Sequence, residues 1–444
     1  FWNEPKGSYR EIFRNISKEI SFKKLHRYSP KQIIKLNHSG MPYGERECSV
    51  CHRHNYLKDG ETECEICWAL KQMSGNILKG DFFTVTSKKE KTCLPLSGNC
   101  YLVTDTESTL RKRMKEDKYY IRSYSKNKPY SGYYVSTKLW VGDYVNGETF
   151  EELGQRATGI ERIAVMRADV DNLGQAFVRG FENEKNGSKY VTLSRTATFS
   201  RKLSMFFKYH INSILKEGGY SILEEESQME KEDDKRNALI VYSGGDDIFI
   251  VGAWDDIIGF AVDLHDNLME YSQDTLKISA GIGIYPSKYP ISIMARETGR
   301  LEEAAKSVEG KNAVALFDEK YTFPWEEFIE NVVEEKLYFI QKYFKVVDEK
   351  GKNFLYNLLE LVRKRKEDKI NIARFAYLLG RMEPKVQRGE KKEEIEEKRD
   401  LHREFSRKMY EWIRVEKDAK ELEMAIYLYV YTKREKEEHD GVNE

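Results

Sequence analysis

Two groups of acids in this chain are the residues best suited to chemistry. Ser243-Gly244-Gly245-Asp246-Asp247 joins the apolar runs 238–242 and 248–251, so it reads as the turn of a β-hairpin. A glycine pair there admits positive φ and lets backbone approach a ligand. Asp169-Val170-Asp171-Asn172-Leu173-Gly174 ends a third apolar run, residues 163–170. Asp169 and Asp171 share a face if that strand continues, because side chains alternate with period two. Carboxylates this crowded repel one another, and a divalent cation offsets the repulsion. Magnesium takes carboxylate and phosphate oxygens in octahedral geometry. Asp169, Asp246 and Asp247 gathered around Mg²⁺ or Mn²⁺ would suit two-metal phosphoryl transfer. One cation lowers the pKa of an attacking hydroxyl, and the other steadies a triphosphate leaving group. Alone, Gly-Gly-Asp-Asp would pass for a turn with solvated acids; the second acidic group after an apolar strand argues for a site. Adjacent strand residues point oppositely, so Asp246 and Asp247 need not both reach one ion.

Lys306 and Lys311 lie near the end of the last helix of this region. Either would serve phosphate as a point charge, with Lys306 favoured and Lys311 reading equally well as a surface lysine. A separate constellation lies upstream. Cys48-x-x-Cys51 and Cys64-x-x-Cys67 are twelve residues apart. Four thiolates suit tetrahedral Zn²⁺ and leave no open coordination position, so the expected role is structural. His52 and His54 are weaker substitutes as ligands. Cys93 and Cys100 have no companion pair and read as ordinary buried or loop residues.

These groups sit in a chain of 444 residues, enough for two to four domains at about 100–200 residues each. Hydrophobic residues make up 40% and charged residues 33%, a soluble globular mix that excludes wholesale disorder. The 74 basic and 74 acidic residues cancel, which excludes a global electrostatic field for nucleic acid but not a local basic groove. No apolar run approaches the ~18 residues of a membrane span. Paired cysteines with no disulfide framework point to a reduced, cytoplasmic compartment. The chain opens on Phe1 without a leader and reads as a piece of a longer protein.

The elements that must position the acids can be read in outline. Residues 1–40 read as helix plus loop, with Ile12, Phe13, Ile16, Ile20 and Phe22 at roughly helical spacing. Residues 41–80 form a loop-rich zinc module, and residues 81–157 a small β linker with short runs at 82–86 and 133–141. Residues 158–320 alternate as strand 163–170, helix 199–216, strands 238–242 and 248–251, helix 255–271, strand 276–285, helix 292–308 and strand 313–317. That is the β-α-β-β-α-β order of a ferredoxin-like sheet, in which the first strand and the hairpin's strands are central neighbours. Residues 321–444 read as almost wholly helical, with the charged run 387–403 a solvated helix or loop. The class is α+β: a ferredoxin-like palm, a zinc module, a β linker and a helical C-terminal domain.

Taken together, the two acidic groups, the run Ile248-Phe249-Ile250-Val251-Gly252-Ala253-Trp254 and the upstream cysteine quartet resemble the large catalytic subunit of type III CRISPR effector complexes, in the form of subtype III-A. The resemblance spans most of the chain, with residues 1–40 as the helical tail of a first palm and 158–320 as the second palm. This palm is also similar to those of nucleotide and diguanylate cyclases.

The resemblance implies that the second palm converts ATP to cyclic oligoadenylate once the complex has bound target RNA. Asp169, Asp246 and Asp247 would be catalytic and hold Mg²⁺ or Mn²⁺. Asp171, Asn172, Leu173 and Gly174 would cradle the triphosphate, Ser243, Gly244 and Gly245 would line the nucleotide site, and Lys306 would contact phosphate. The implied partners are ATP, guide and target RNA, and other effector subunits, especially the one binding the 5′ handle of the guide RNA, with no membrane. Family members usually begin with an HD nuclease domain. Here His265-Asp266 falls in an expected helix and His439-Asp440 near the end, and most of the first palm is missing, so cleavage of single-stranded DNA is not expected of this chain. Two alternatives are a diguanylate cyclase-like enzyme, against which Asp247 and the cysteines argue, and a nucleotide-binding scaffold without activity.

Overall fold

A computed structural model describes residues 8–38, 47–53, 57, 60–128, 137–182, 185, 187, 189–223, 235–347, 353–366, 368–384 and 392–434. The chain divides into two compact units: Phe1–Asp143 with Gly174–Tyr209, and Tyr144–Leu173 with His210–Glu444. The stretch 174–209 lies inside the span expected for the palm, yet groups with the N-terminal unit.

In the first unit, helices run over Ser8–Leu25 and Pro30–His38. Ile16, Ile20 and Phe22 of the expected apolar stripe are exposed; the side chains of Ile12 and Phe13 lie outside the described residues. The cysteine segment is less loop-like than expected, because a helix spans Glu65–Lys79 with Cys64 as its N-cap. Strands β1 (Phe82–Thr86), β2 (Leu94–Leu96), β3 (Cys100–Asp105), β4 (Tyr120–Lys126) and β5 (Thr137–Leu139) form a sheet in the order β2-β3-β1-β4-β5. The central strand β1 is buried at every residue. Of the expected run 133–141, residues 133–136 lie outside the described residues.

The second unit holds a sheet of β6 (Ile163–Val170), β7 (Ala238–Ser243), β8 (Asp247–Ala253), β9 (Ile278–Tyr285), β10 (Ala313–Leu316) and β11 (Thr322–Pro324). Their order is β11-β10-β9-β6-β8-β7. The core order β9-β6-β8-β7 is the ferredoxin-like one, extended by β10 parallel to β9 and β11 antiparallel to β10. β6 is almost continuously apolar and takes a central place, with β8 and β9 antiparallel on its two sides. Only one hairpin strand therefore neighbours β6. A tight turn forces β7 onto β8, and with β9 holding the far side of β6, β7 becomes the edge.

Helix Ile291–Lys306 packs on β9, β10 and β6. It comes close because Gly281 has no side chain: a Cβ there would strike the backbone at Thr298 and Glu302. On the same sheet face, Ile163, Val165 and Val251 build an apolar core with Leu153 and Met294, against which Phe249 packs. Beyond Trp325 come helices Glu327–Leu337 (wound as wider π turns), Tyr338–Val346, Asn353–Lys364, Ile370–Gly380, Lys392–Arg414 and Glu416–Lys433. Residues 392–403 of the charged run are thus helical. The buried ammonium of Lys336 is matched by the buried carboxylate of Glu421 at 2.6 Å. Among the described residues, no helix is long and apolar enough to cross a membrane.

Candidate functional site

The acids meet at one end of the second sheet. Antiparallel pairing of β6 with β8 sets Asp169 directly opposite Asp247, and β6 with β9 sets Asp169 opposite Ser279. Directly opposed residues share a face, with Cβ atoms about 4.5–5.5 Å apart. The face that carries Ile163 and Val165 therefore runs on through Arg167 to Asp169, turning from apolar core to charge over four alternate positions. The Asp246 carbonyl accepts from Val170 N at 3.1 Å, and the Asp247 carbonyl from Gly244 N at 2.8 Å, so backbone bonds fix the hairpin tip against the end of β6.

Neither Gly244 nor Gly245 uses the positive φ that a glycine pair admits. A Cβ on Gly244 would meet Asp247 Oδ1 and the Tyr242 hydroxyl, the far ends of two side chains that would have to move aside.

Lys306 reaches this tip from its helix. Its Nζ lies 2.7 Å from Asp169 Oδ2 and 2.6 Å from Glu302 Oε1. Glu302 Oε2 is in turn 3.1 Å from Arg167 Nε. Charges thus alternate along one row: Asp169, Lys306, Glu302, Arg167. Burial pulls the Lys306 ammonium down, but bonds to Asp169 and Glu302 outweigh it and raise its pKa. Asp246 goes the other way for a carboxylate. Burial, then the charges of Asp169 and Asp247, lift its pKa, and Lys306 only partly offsets them. Among the described residues, the three carboxylates are not drawn within 4.8 Å of one another. With one ammonium among three acids, mutual repulsion holds them apart. Side-chain exposures of 27% for Asp169 and 28% for Lys306 leave both within reach of a ligand.

Asp171 differs from expectation. The strand ends at Val170, so Asp171 does not continue on the face of Asp169. It is buried, and its carboxylate accepts from Ser279 Oγ at 3.0 and 2.9 Å and from Asn312 N at 3.0 Å. That ties β6 to β9 and to the turn 310–312, where Lys311 and Asn312 both have positive φ. The Asp171 carboxylate is thus engaged within the fold. Asn172, at φ 54°, turns the chain into helix Leu173–Arg179, and among the described residues nothing lies within 4 Å of a Cβ placed on Gly174. Asp171→Ala is expected to lower unfolding free energy by about 1–3 kcal/mol, measured by urea denaturation, since it strands a buried hydroxyl and an amide.

Glu302, Arg167, Ser279 and Tyr242 belong to this surrounding and were not anticipated. Glu302 stands four residues before Lys306, and Arg167 two before Asp169, spacings that do put them on the same helix and strand faces. His265 bonds Asp266 at 2.8 Å and stacks on Trp325 within the helix Trp254–Ser272. His439 lies outside the described residues.

The cysteines form a second centre. The Sγ atoms of Cys48, Cys51, Cys64 and Cys67 all lie within 4.8 Å of one another, the one such group of three or more His, Cys, Asp or Glu ligands among the described residues. Cys51 Sγ and Cys64 Sγ are 3.7 Å apart. A tetrahedron with Zn–S bonds of ~2.3 Å needs ~3.8 Å, so the quartet fits zinc. Backbone amides, first that of Cys51 and then that of Cys64, hold the Cys48 thiol down at about 6, while hydrogen bonding to Cys51 and burial push Cys67 up to about 12. His52 is exposed, bonded to Glu47 and outside the cluster; His54 lies outside the described residues. Cys93 is buried.

A ferredoxin-like sheet with carboxylates opposed across β6 and the hairpin tip defines a palm of the cyclase and polymerase type. Comparison with known proteins agrees. Residues 162–315 match the family described as Cas10/Cmr2, second palm domain, and residues 341–435 the second helical domain of the CRISPR RNA silencing complex Cmr2 subunit. The single-strand-specific deoxyribonuclease Cas10/Csm1 of a subtype III-A CRISPR system from Mycobacterium tuberculosis is 42% identical over 97% of this chain and 52% of its own length. A crystal structure of a Csm1–Csm4 subcomplex in the type III-A CRISPR–Csm interference complex is 25% identical, with a TM-score of 0.56 over 85% of this chain and 51% of that one. A Csm1–Csm4 cassette in complex with AMPPNP is also 25% identical, with a TM-score of 0.51 over 78% and 48%. Over nearly all of its length the chain is similar to the Cas10/Csm1 proteins of subtype III-A CRISPR systems, and it spans about half the length of the curated relatives it matches.

Proposed function

We propose that this palm is the nucleotidyl-transfer centre of an RNA-guided type III-A interference complex, converting ATP to cyclic oligoadenylate when target RNA is bound. The observation that carries the reading is Asp169 opposite Asp247 at the sheet's end, with the ammonium of Lys306 already bonded to Asp169. A cluster that recruits an internal cation is chemically suited to Mg²⁺ or Mn²⁺, because its donors are hard carboxylate oxygens. Asp169, Asp246 and Asp247 would hold the cations, which activate a 3′-hydroxyl and offset charge on the triphosphate. Lys306 would exchange Asp169 for phosphate, with Glu302 keeping it aimed. The backbone of 171–174 would support the triphosphate, while Ser243, Gly244 and Gly245 would line the nucleotide. The cysteine quartet would hold a structural zinc. The solved neighbours bound to Csm4 and to AMPPNP support an assembly partner and an adenine nucleotide. A cytoplasmic location follows from the same reading, as do guide and target RNA as partners through the complex.

The test is to incubate the intact complex with labelled ATP or GTP, with and without target RNA, and to identify the products by chromatography. Oligoadenylate formed only with ATP and target RNA is the expected result. A product from GTP alone, or none under any condition, would overturn the proposal.

A further inference from the structure

Tyr242 sits on the edge strand β7, where regular pairing would turn it away from the acids. Ile240 pairs with Ile250, so an unbroken ladder would set Tyr242 opposite Ile248, on the face away from Asp169 and Asp247. The register instead slips by one residue between Ile240 and Tyr242, and Tyr242 stands opposite Phe249. Phe249 shares its face with Asp247, two residues along, and with Arg167 across the ladder. The bulge therefore carries Tyr242 onto the face of the acids. β-Bulges re-aim a side chain in this way, and a slip of one flips which face it joins.

Two further observations point the phenol at Asp247. The charge of Asp247, ahead of burial, raises the pKa of the Tyr242 phenol, as a hydroxyl lying beside that carboxylate requires. The Tyr242 hydroxyl and Asp247 Oδ1 also converge on the space that a Cβ of Gly244 would fill. The two groups approach at the surface, where Tyr242 is 50% exposed. A core-filling role for the ring does not account for that placement.

We infer that Tyr242 is a positioning residue, its phenol donating to the Asp247 carboxylate so that the other oxygen is held toward a divalent cation. Gly244 is the space that permits this pairing, and the bulge at Val241 is the device that aims it. The inference rests on the reading of the acidic turn as a cation site. Outer hydrogen-bond partners of metal ligands orient the ligand and commonly set affinity by about 10–100-fold.

The experiment is Mn²⁺ titration of the intact protein, followed by electron paramagnetic resonance, on wild type, Tyr242→Phe, Gly244→Ala and Asp247→Ala, with a melting curve of each in chelator. Tyr242→Phe keeps the ring and removes only the donor. It is expected to weaken Mn²⁺ binding about tenfold with an unchanged melting temperature. Gly244→Ala should weaken it as well, by displacing the carboxylate. If Asp247→Ala loses Mn²⁺ and Tyr242→Phe retains wild-type affinity, the inference falls and the cation site stands. If Asp247→Ala binds Mn²⁺ as the wild type does, the cation site falls and takes the inference with it. A Tyr242→Phe variant that melts lower in proportion to its lost binding would make the tyrosine a packing residue and also overturn the inference.

Discussion

Replacing Asp246 and Asp247 together with alanine is expected to cut ATP turnover by the intact complex on the order of a thousandfold or more, since cation stabilisation of the transferred phosphoryl group supplies several kcal/mol. Asp169 would then remain alone with Lys306, neutralised and unable to hold two cations. Folding should not suffer. Asp246 is held protonated to a higher pH than an ordinary aspartate by burial and by its two acidic neighbours. A carboxyl with a raised folded-state pKa stabilises the fold below its unfolded pKa, and that contribution is lost as pH rises through the folded value. At neutral pH the metal-free cluster is therefore a burden, and the double variant should melt no lower than the wild type. By the same sign, protons should compete with the cation in the wild type from a higher pH than for an unperturbed aspartate. Product analysis with paired melting curves measures both. Undiminished oligoadenylate synthesis by the double variant would remove the palm from the reaction.

The second large effect is expected at the cysteine quartet. Zinc binding at closed thiolate sites is worth roughly 10–16 kcal/mol in small zinc-finger peptides, and there it is also the folding free energy. Cys64 has three tasks here. Its sulfur belongs to the cluster, it caps helix Glu65–Lys79 by accepting from Cys67 N, and its own N–H donates to Cys48 Sγ at 3.2 Å. Cys64→Ser should therefore lose the zinc and open residues 47–80 to protease. Elemental analysis of the wild type should find a single zinc per chain, because a quartet of thiolates closes the shell. A wild type free of zinc and equally resistant to protease would reduce the cluster to four thiols.

The palm was legible because each of its strands is a short apolar run bounded by turn residues, and the site because its acids sit at the ends of such runs. The order of elements then left one sheet to build, and Asp169 and the hairpin tip met at its rim. What was not legible has physical causes. That β7 would be the edge follows from competition for the two sides of β6, which no local pattern encodes. Asp171 looked like a partner of Asp169, yet the strand stopped one residue early and the carboxylate was drawn to Ser279 and Asn312, distant in sequence. Tyr242 depended on a one-residue slip that alternation cannot show. Gly244 reads as a source of backbone freedom, yet it does not use positive φ, and the space beside it is taken by the ends of Tyr242 and Asp247. Helix Glu65–Lys79 was hidden because cysteine is an unusual cap, effective here only because the other thiols hold it in place.

Trp325 opens the helical region, and its indole N–H donates to the carbonyl of Ile278 at 2.9 Å. Ile278 is the residue of β9 that faces Val170, the last of β6, one step past Asp169. The backbone N–H of Trp325 also donates to Asn312, whose own amide holds Asp171. One tryptophan thus bolts the C-terminal helices to the floor beneath the acids at two points. A tilt of helix Glu327–Leu337 must either break those fastenings or shift that floor, so a load applied to the far helices has a short mechanical route to the acidic rim.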